Sequence, residues 1–198
     1  MRGKLLVSVG LIGFVLLQGC SSTPGAGTPS GTVSSTNSSS SVSAPKVQNP
    51  LPASVISKHP CLSALTDGQL ADLIGEVPQA QHTDNAAGPG CGWTKPSTAA
   101  GIDVAWMTGL RNGLSDYYAQ KQRDAYQQPI TIGGYPAVAY NSTEVHPVGD
   151  CSVGVGIADN LAFDVHFIVG SDRYGKLNPC DAAKAIAEDV LTNLKAAQ

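Results

Sequence analysis

Cys151-Ser-Val-Gly-Val-Gly-Ile-Ala158, then Asp159-Asn160, then Leu161-Ala-Phe-Asp-Val-His-Phe-Ile-Val169 is the stretch that decides the fold. In its first half Cys151, Val153, Val155 and Ile157 alternate with Ser152, Gly154, Gly156 and Ala158. In its second half Leu161, Phe163, Val165, Phe167 and Val169 alternate with Ala162, Asp164, His166 and Ile168. A period of two sends alternate side chains to opposite faces of a strand. Two such runs joined by a two-residue polar turn predict an antiparallel hairpin with one apolar face.

The surrounding sequence supplies what covers that apolar face. Downstream, Asn178 is an N-cap and Pro179 occupies the first helical position, where a missing N–H costs nothing. Asp181 favours the same end of the macrodipole, and Ala183, Ile186, Ala187, Val190, Leu191 and Leu194 form one stripe. Upstream, the segment from Pro129 to Tyr140 reads as strand broken by Gly133-Gly134, a hairpin turn or a bulge. Gly92 to Lys95 and Ile102 to Thr108 read as two more strands, and Gly113 to Arg123 as a helix. Thr66-Asp67-Gly68-Gln69 is a capping box, flanked by a Leu65/Leu70 staple and ended by Gly75. Helix, two strands, helix, several strands, helix is the order of an α+β fold: an antiparallel sheet with helices packed on it.

The chain has 198 residues, enough for one ordinary domain. Twelve basic against fifteen acidic residues leave no excess of positive charge, which argues against a nucleic-acid binder. Charged residues make up 14%, against roughly 25% in a typical soluble protein, so the polar surface is largely uncharged.

Arg2 and Lys4 precede the uncharged run Leu5 to Leu17. A spanning helix needs about 20 apolar residues, so this shorter run reads as a signal-peptide core. It ends in Leu17-Gln18-Gly19-Cys20, which resembles the bacterial lipobox. That resemblance implies a diacylglycerol on the Cys20 thiol and cleavage just before it. Without Arg2 and Lys4, 10 basic and 15 acidic residues remain, about −5, so the lipid must hold the protein to an anionic leaflet. Beyond Cys20 the chain is rich in Ser, Thr, Gly and Pro, the composition of a flexible tether. The expected division is 1–19 signal peptide, 20–58 lipidated cysteine and tether, and 59–198 globular domain. The expected location is the extracytoplasmic face of the cell membrane, with the membrane itself engaged through the N-terminal lipid.

Cys61, Cys91, Cys151 and Cys180 are an even set in an exported domain, so two disulfides are expected. Three connectivities exist; Cys61–Cys91 with Cys151–Cys180 ties the start of a helix to a strand in both cases. No Cys-x-x-Cys occurs and exported thiols oxidise, so no metal site is expected, and His59 reads as a surface residue beside a proline.

Several neighbourhoods carry a resemblance: Pro60-Cys61-Leu62, Gly90-Cys91-Gly92-Trp93, Ile130-Thr-Ile-Gly-Gly-Tyr-Pro-Ala137, Cys151-Ser-Val-Gly-Val155 and Pro179-Cys-Asp-Ala-Ala183. Together they resemble the uncharacterised actinobacterial lipoprotein family that includes mycobacterial LprB and LprC. The resemblance implies a lipid-anchored envelope protein of unknown function. The element order is also similar to the Mog1/PsbP-like sandwich, a binding fold.

No Gly-x-Ser-x-Gly, His-Glu-x-x-His or P-loop occurs. The expectation is therefore a non-enzymatic module, without a cofactor, that binds an envelope protein or a hydrophobic ligand. The alternative is an accessory cell-wall hydrolase or modifying enzyme, which needs His166 or the Asp103 and Asp164 carboxylates to converge in a cleft. Gly154 and Gly156 leave one strand face bare beside Asp164 and His166; such a face either seats a closely packed helix or is the candidate binding surface. Trp93, Trp106, Tyr117, Tyr118 and Tyr126 are candidates to line it.

Overall fold

The computed structural model describes residues 43–120 and 123–198. The expected hairpin forms from β6, Asp150–Ala158, and β7, Leu161–Ile168, paired antiparallel with Val153 opposite Val165 and Val155 opposite Phe163. Asp159-Asn160 is the turn between them. Around this hairpin the other strands assemble: β1 Gln81–His82, β2 Gly90–Thr94, β3 Gly101–Trp106, β4 Tyr126–Ile132 and β5 Tyr135–Asn141. The spatial order is β1-β2-β3-β7-β6-β5-β4, and each neighbouring pair is antiparallel. Gly133 and Gly134 have φ of 52° and 89° and form the β4–β5 turn, a conformation that glycine adopts without strain.

One face of the sheet carries Cys91, Trp93, Ile102, Val104, Trp106, Phe163, Val165, Phe167, Val153, Val155 and Ile157, all buried. Helix α4, Pro179–Ala196, lies on it, with the predicted stripe from Ala183 to Leu194 buried. Asn178 caps α4 as expected, its Oδ1 accepting from Cys180 and Asp181 N–H. Two short helices, α1 Pro60–Ser63 and α2 Asp67–Ile74, sit at the same side. Both arms of the Thr66–Gln69 capping box form, and Gly75 closes α2 at φ 82°. Asn193 of α4 donates to Ala64 O and to Gln69 Oε1 at 2.9 and 2.8 Å, fastening α4 to the start of α2.

Two disulfides join the cysteines as expected: Cys61–Cys91 and Cys151–Cys180, with Cα separations of 5.0 and 4.9 Å. The first ties α1 to β2 and the second ties α4 to β6.

Two expectations need correction. The globular domain does not begin at residue 59. Leu51 and Val55 are buried in the main core, Leu51 N–H donates to Ile157 O at 2.8 Å, and Tyr135 Oη donates to Asn49 O at 2.8 Å. The Asp159 turn holds this arm, accepting from Lys46 Nζ at 2.9 Å and from Val47 N–H at 3.1 Å. Polar composition concealed an arm whose larger apolar side chains, Val47, Leu51, Val55 and Ile56, pack in or against the main core. The expected helix over 113–123 is one turn of α-helix, α3 Ser115–Tyr118. Cys20, with the signal and lipobox readings, lies outside the described residues.

Candidate functional site

The second face of the sheet divides into a covered half and an open half. Over the covered half, Leu114 and Tyr117 pack with Val138 and Ala162. A Cβ built on Gly154 would meet the Tyr117 ring at 2.9 Å, and one on Gly156 would meet Leu114 Cβ at 3.1 Å. The two glycines are therefore the seat of α3, not the floor of a groove, which corrects the binding-face expectation for Gly154 and Gly156. Glycine is required because an aromatic ring lies directly on the strand backbone. Trp93 and Trp106 are also withdrawn as lining residues, because both are buried on the opposite face. Tyr117 belongs to the cover itself, while Tyr118 and Tyr126 are half-buried at the β4 side of the molecule.

The open half begins where α3 stops. Register places Asp103 opposite His166, His166 opposite Ser152, and Asp164 between Ala105 and Gly154. His166 sits between two carboxylates: its Nε2 is 3.1 Å from Asp150 Oδ2 and its Nδ1 is 4.0 Å from Asp103 Oδ2. The three side chains are 35%, 37% and 39% exposed respectively, so the row meets solvent while its base is packed. Asp103 leans over β2, where a Cβ on Gly92 would meet its Oδ1 at 2.6 Å. Gly92 thus gives the carboxylate room to lie along the sheet.

Asp164 differs from its neighbours because it lies at the border of the α3 cover. Tyr140 Oη donates to its Oδ2 at 2.9 Å. Desolvation pushes its carboxyl up to about 7, against the opposing pull of the Tyr140 hydrogen bond and of His166. Asp103 is also raised by desolvation, with His166 pulling it back. The Tyr117 hydroxyl is buried near the same carboxyl but completes no hydrogen bond. The face thus joins two exposed carboxylates, a histidine between them, and a carboxyl poised between its charged and neutral forms near neutral pH.

The alternation of β7 put Asp164 and His166 on one face, and the β3–β7 pairing brings Asp103 to them, on an open sheet face and not in the cleft that the enzymatic alternative required. Asp150 is the missed member. It stands two residues before Ser152 on the same alternation, so extending β6 by one residue would have found it.

A second cluster lies at the other edge of the sheet. His59 is the N-cap of α1, its Nδ1 accepting from Cys61 N–H, and its ring stacks on that of His82 at 4.0 Å between centroids. Its Nε2 is 2.8 Å from Asp84 Oδ1. His59 is therefore not the free surface residue expected. Donor atoms of His59, Cys61 and His82 lie within 4.8 Å of one another, although Cys61 is disulfide-bonded.

Open grooves complete the surface. One of about 440 Å³ is lined by Pro45, Tyr118, Pro129, Ile130 and Pro136, where the N-terminal arm crosses β4 and β5. Among the described residues no helix is long and apolar enough to cross a membrane.

Compared with known proteins, residues 15–193 match the family model described as "Protein of unknown function (DUF3558)". No curated protein and no solved structure matches.

Proposed function

We propose that this chain, which belongs to the DUF3558 family, is an exported, lipid-anchored envelope protein that binds a partner through the acidic half of its sheet. The observation that supports this reading most is the row Asp103–His166–Asp150, set on a strand face that α3 leaves open. Two carboxylates around one imidazole present hydrogen-bond acceptors and net negative charge. The partner class they suit is a protein segment or polymer bearing amines, guanidinium groups or dense hydroxyls. A hydrophobic ligand has weaker support, because the 440 Å³ groove is open along the surface and does not enclose its contents.

The sequence supports the anchor: the uncharged run Leu5 to Leu17 ends in Leu17-Gln18-Gly19-Cys20. Lipid on Cys20 would hold the domain at the extracytoplasmic face of the membrane, and the chain that follows would let it reach its partner.

One observation favours a second reading, a hydrolase or modifying enzyme acting on cell-wall polymers. Asp164, at about 7, is tuned for proton transfer at neutral pH, beside a histidine flanked by carboxylates. The two readings part in one experiment. Full-length lipoprotein is crosslinked in intact cells and its captured partners are identified by mass spectrometry. In parallel, the purified protein is incubated with cell-wall fragments, and the products are followed by chromatography. Binding is supported if Asp103→Asn with His166→Ala loses the captured species while wild type leaves the fragments unchanged. Turnover that disappears in Asp164→Asn moves the assignment to the enzyme. If the same species are captured by wild type and by the double variant, the sheet face is not the binding site.

A further inference from the structure

We infer that His59, His82 and Asp84 form a binding site for a divalent transition ion of the zinc and copper class. Three separate segments bring the donors together: the cap of α1, strand β1, and the connection that follows β1. His59 Nε2 is 2.8 Å from Asp84 Oδ1, and His82 Nδ1 is 3.8 Å from Asp84 Oδ2. Two ring nitrogens therefore face the two oxygens of one carboxylate. The stacking at 4.0 Å keeps the second imidazole beside the first, so both ring nitrogens stay within reach of the Asp84 carboxylate. Stacked imidazoles repel when both are protonated, whereas an ion shared between them favours both neutral lone pairs.

The donor set selects the ion. Cys61 is committed to its disulfide and supplies no thiolate, so two nitrogens and one carboxylate remain. Imidazole with carboxylate suits Zn²⁺ and Cu²⁺ and leaves at least one position for water or another ligand. Tetrahedral zinc with bonds of 2.0–2.1 Å places its donors about 3.3 Å apart. The His–Asp84 spacings of 2.8 and 3.8 Å bracket that value, but a shared ion must lie in both ring planes, so the rings have to swing out of their stack, which the exposure of His82 allows.

The surroundings hold the donors in place. Asp84 Oδ1 also accepts from Gly90 N–H at 3.0 Å, which fixes the carboxylate as an outer-shell bond does at a metal ligand. The Cys61–Cys91 disulfide locks the α1 cap to the strand beside His82. Because His59 Nδ1 accepts from Cys61 N–H, the Nε2 proton is the one directed at Asp84. The neutral ring has one N–H, so for an ion to bind at Nε2 that proton moves to Nδ1, and the Cys61 amide then loses its acceptor. The disulfide keeps α1 in place when that happens. The assignment uses no residue of the sheet face proposed for partner binding, so either one can fail alone.

The test uses the full chain without a histidine tag, stripped with chelator and titrated with Zn²⁺ by calorimetry and with Cu²⁺ by electron paramagnetic resonance. The expected result is one ion per chain with a Kd of roughly 10 μM or tighter and a Cu²⁺ spectrum showing two nitrogen ligands. His82→Ala is the first variant, since that side chain is 67% exposed and its loss leaves the core intact. It should weaken Zn²⁺ binding by about tenfold or more and remove one nitrogen from the spectrum. Asp84→Asn should weaken Zn²⁺ similarly, and His166→Ala should change nothing. Weaker binding by wild type, unchanged binding by His82→Ala, or loss of the ion in His166→Ala overturns the assignment.

Discussion

The Tyr140 hydroxyl donates to Asp164 Oδ2 across 2.9 Å, and this bond supports a carboxyl that burial holds near pKa 7. Tyr140 lies on β5 and Asp164 on β7, two strands away, with the backbone of Gly154 and the hydroxyl of Ser152 between them. Only strands with small side chains between the pair allow the tyrosine to reach. Packing and site chemistry therefore share a cause: the glycine that seats Tyr117 also opens the path from Tyr140 to Asp164.

Protonation of Asp164 makes stability depend on pH. Its pKa rises from 3.8 when unfolded to about 7 when folded, so the folded state binds the extra proton in between. Stability from this group is complete below pH 4, falls as pH rises toward 7, and levels off above that. At 1.36 kcal/mol per pH unit the loss is at most about 4 kcal/mol. Urea unfolding at pH 4, 5.5, 7 and 8 should show wild type losing stability relative to Asp164→Asn across that window. Parallel curves for the two proteins would refute the raised pKa.

The arm over residues 43–58 is part of the folded domain. A chain that begins at His59 loses Leu51 and Val55, each worth roughly 1.5–3 kcal/mol when buried, and the Leu51 bond to Ile157. It should melt well below a chain that begins at Ser43, and Leu51→Ala in the longer chain should reproduce part of the loss. Equal melting temperatures would show that the arm only rests on the surface.

The strands and the long helix were legible because their signals are local. Period two in 151–169 and the stripe from Ala183 to Leu194 need no knowledge of the rest of the chain. The capping box at Thr66 was legible for the same reason. The site was only half legible: alternation put Asp164 and His166 on one face, but which neighbours would join them depends on strand order. β3 pairs with β7 across 57 to 67 residues of sequence, and this pairing brings Asp103 to His166. The bare glycines were legible as a seat for a helix or as a binding face, and the segment Leu114 to Tyr118, itself read as part of a helix, is what sits there. The His59–His82–Asp84 group was missed because its residues meet through a two-residue strand and a disulfide, neither of which leaves a periodic trace.

Each disulfide closes a loop of about 30 residues, worth roughly 3–4 kcal/mol in the chain-entropy model. Cys151→Ala with Cys180→Ala should cost about that much and loosen α4 from β6, while Cys61→Ala with Cys91→Ala should act mainly on α1. Amide exchange separates the cases: the first pair should raise exchange along α4, the second around Pro60–Ser63. Identical exchange maps for the two double variants would contradict this division.

Tyr117 and Tyr140 should respond in opposite ways to losing a hydroxyl. Their rings pack edge to face at 5.5 Å, and Asp164 lies near both. The Tyr140 oxygen is hydrogen-bonded, so Tyr140→Phe removes a bond to a buried carboxyl and should cost about 1–3 kcal/mol, more at pH 8 where Asp164 is charged. The same change withdraws a donor that holds the pKa of Asp164 down, so the pH midpoint of stability should move above 7. The Tyr117 oxygen is buried without a partner, so Tyr117→Phe removes a group already desolvated and should be neutral or stabilising by about 1 kcal/mol. Gly154→Val tests the same contact from below: a Cβ would press on the Tyr117 ring at 2.9 Å and should cost roughly 1–3 kcal/mol. Pairing it with Tyr117→Ala should recover part of that loss, because the clash is with the ring that the second change removes. Additive losses would mean that the two side chains do not share this space, and α3 would no longer account for the glycine.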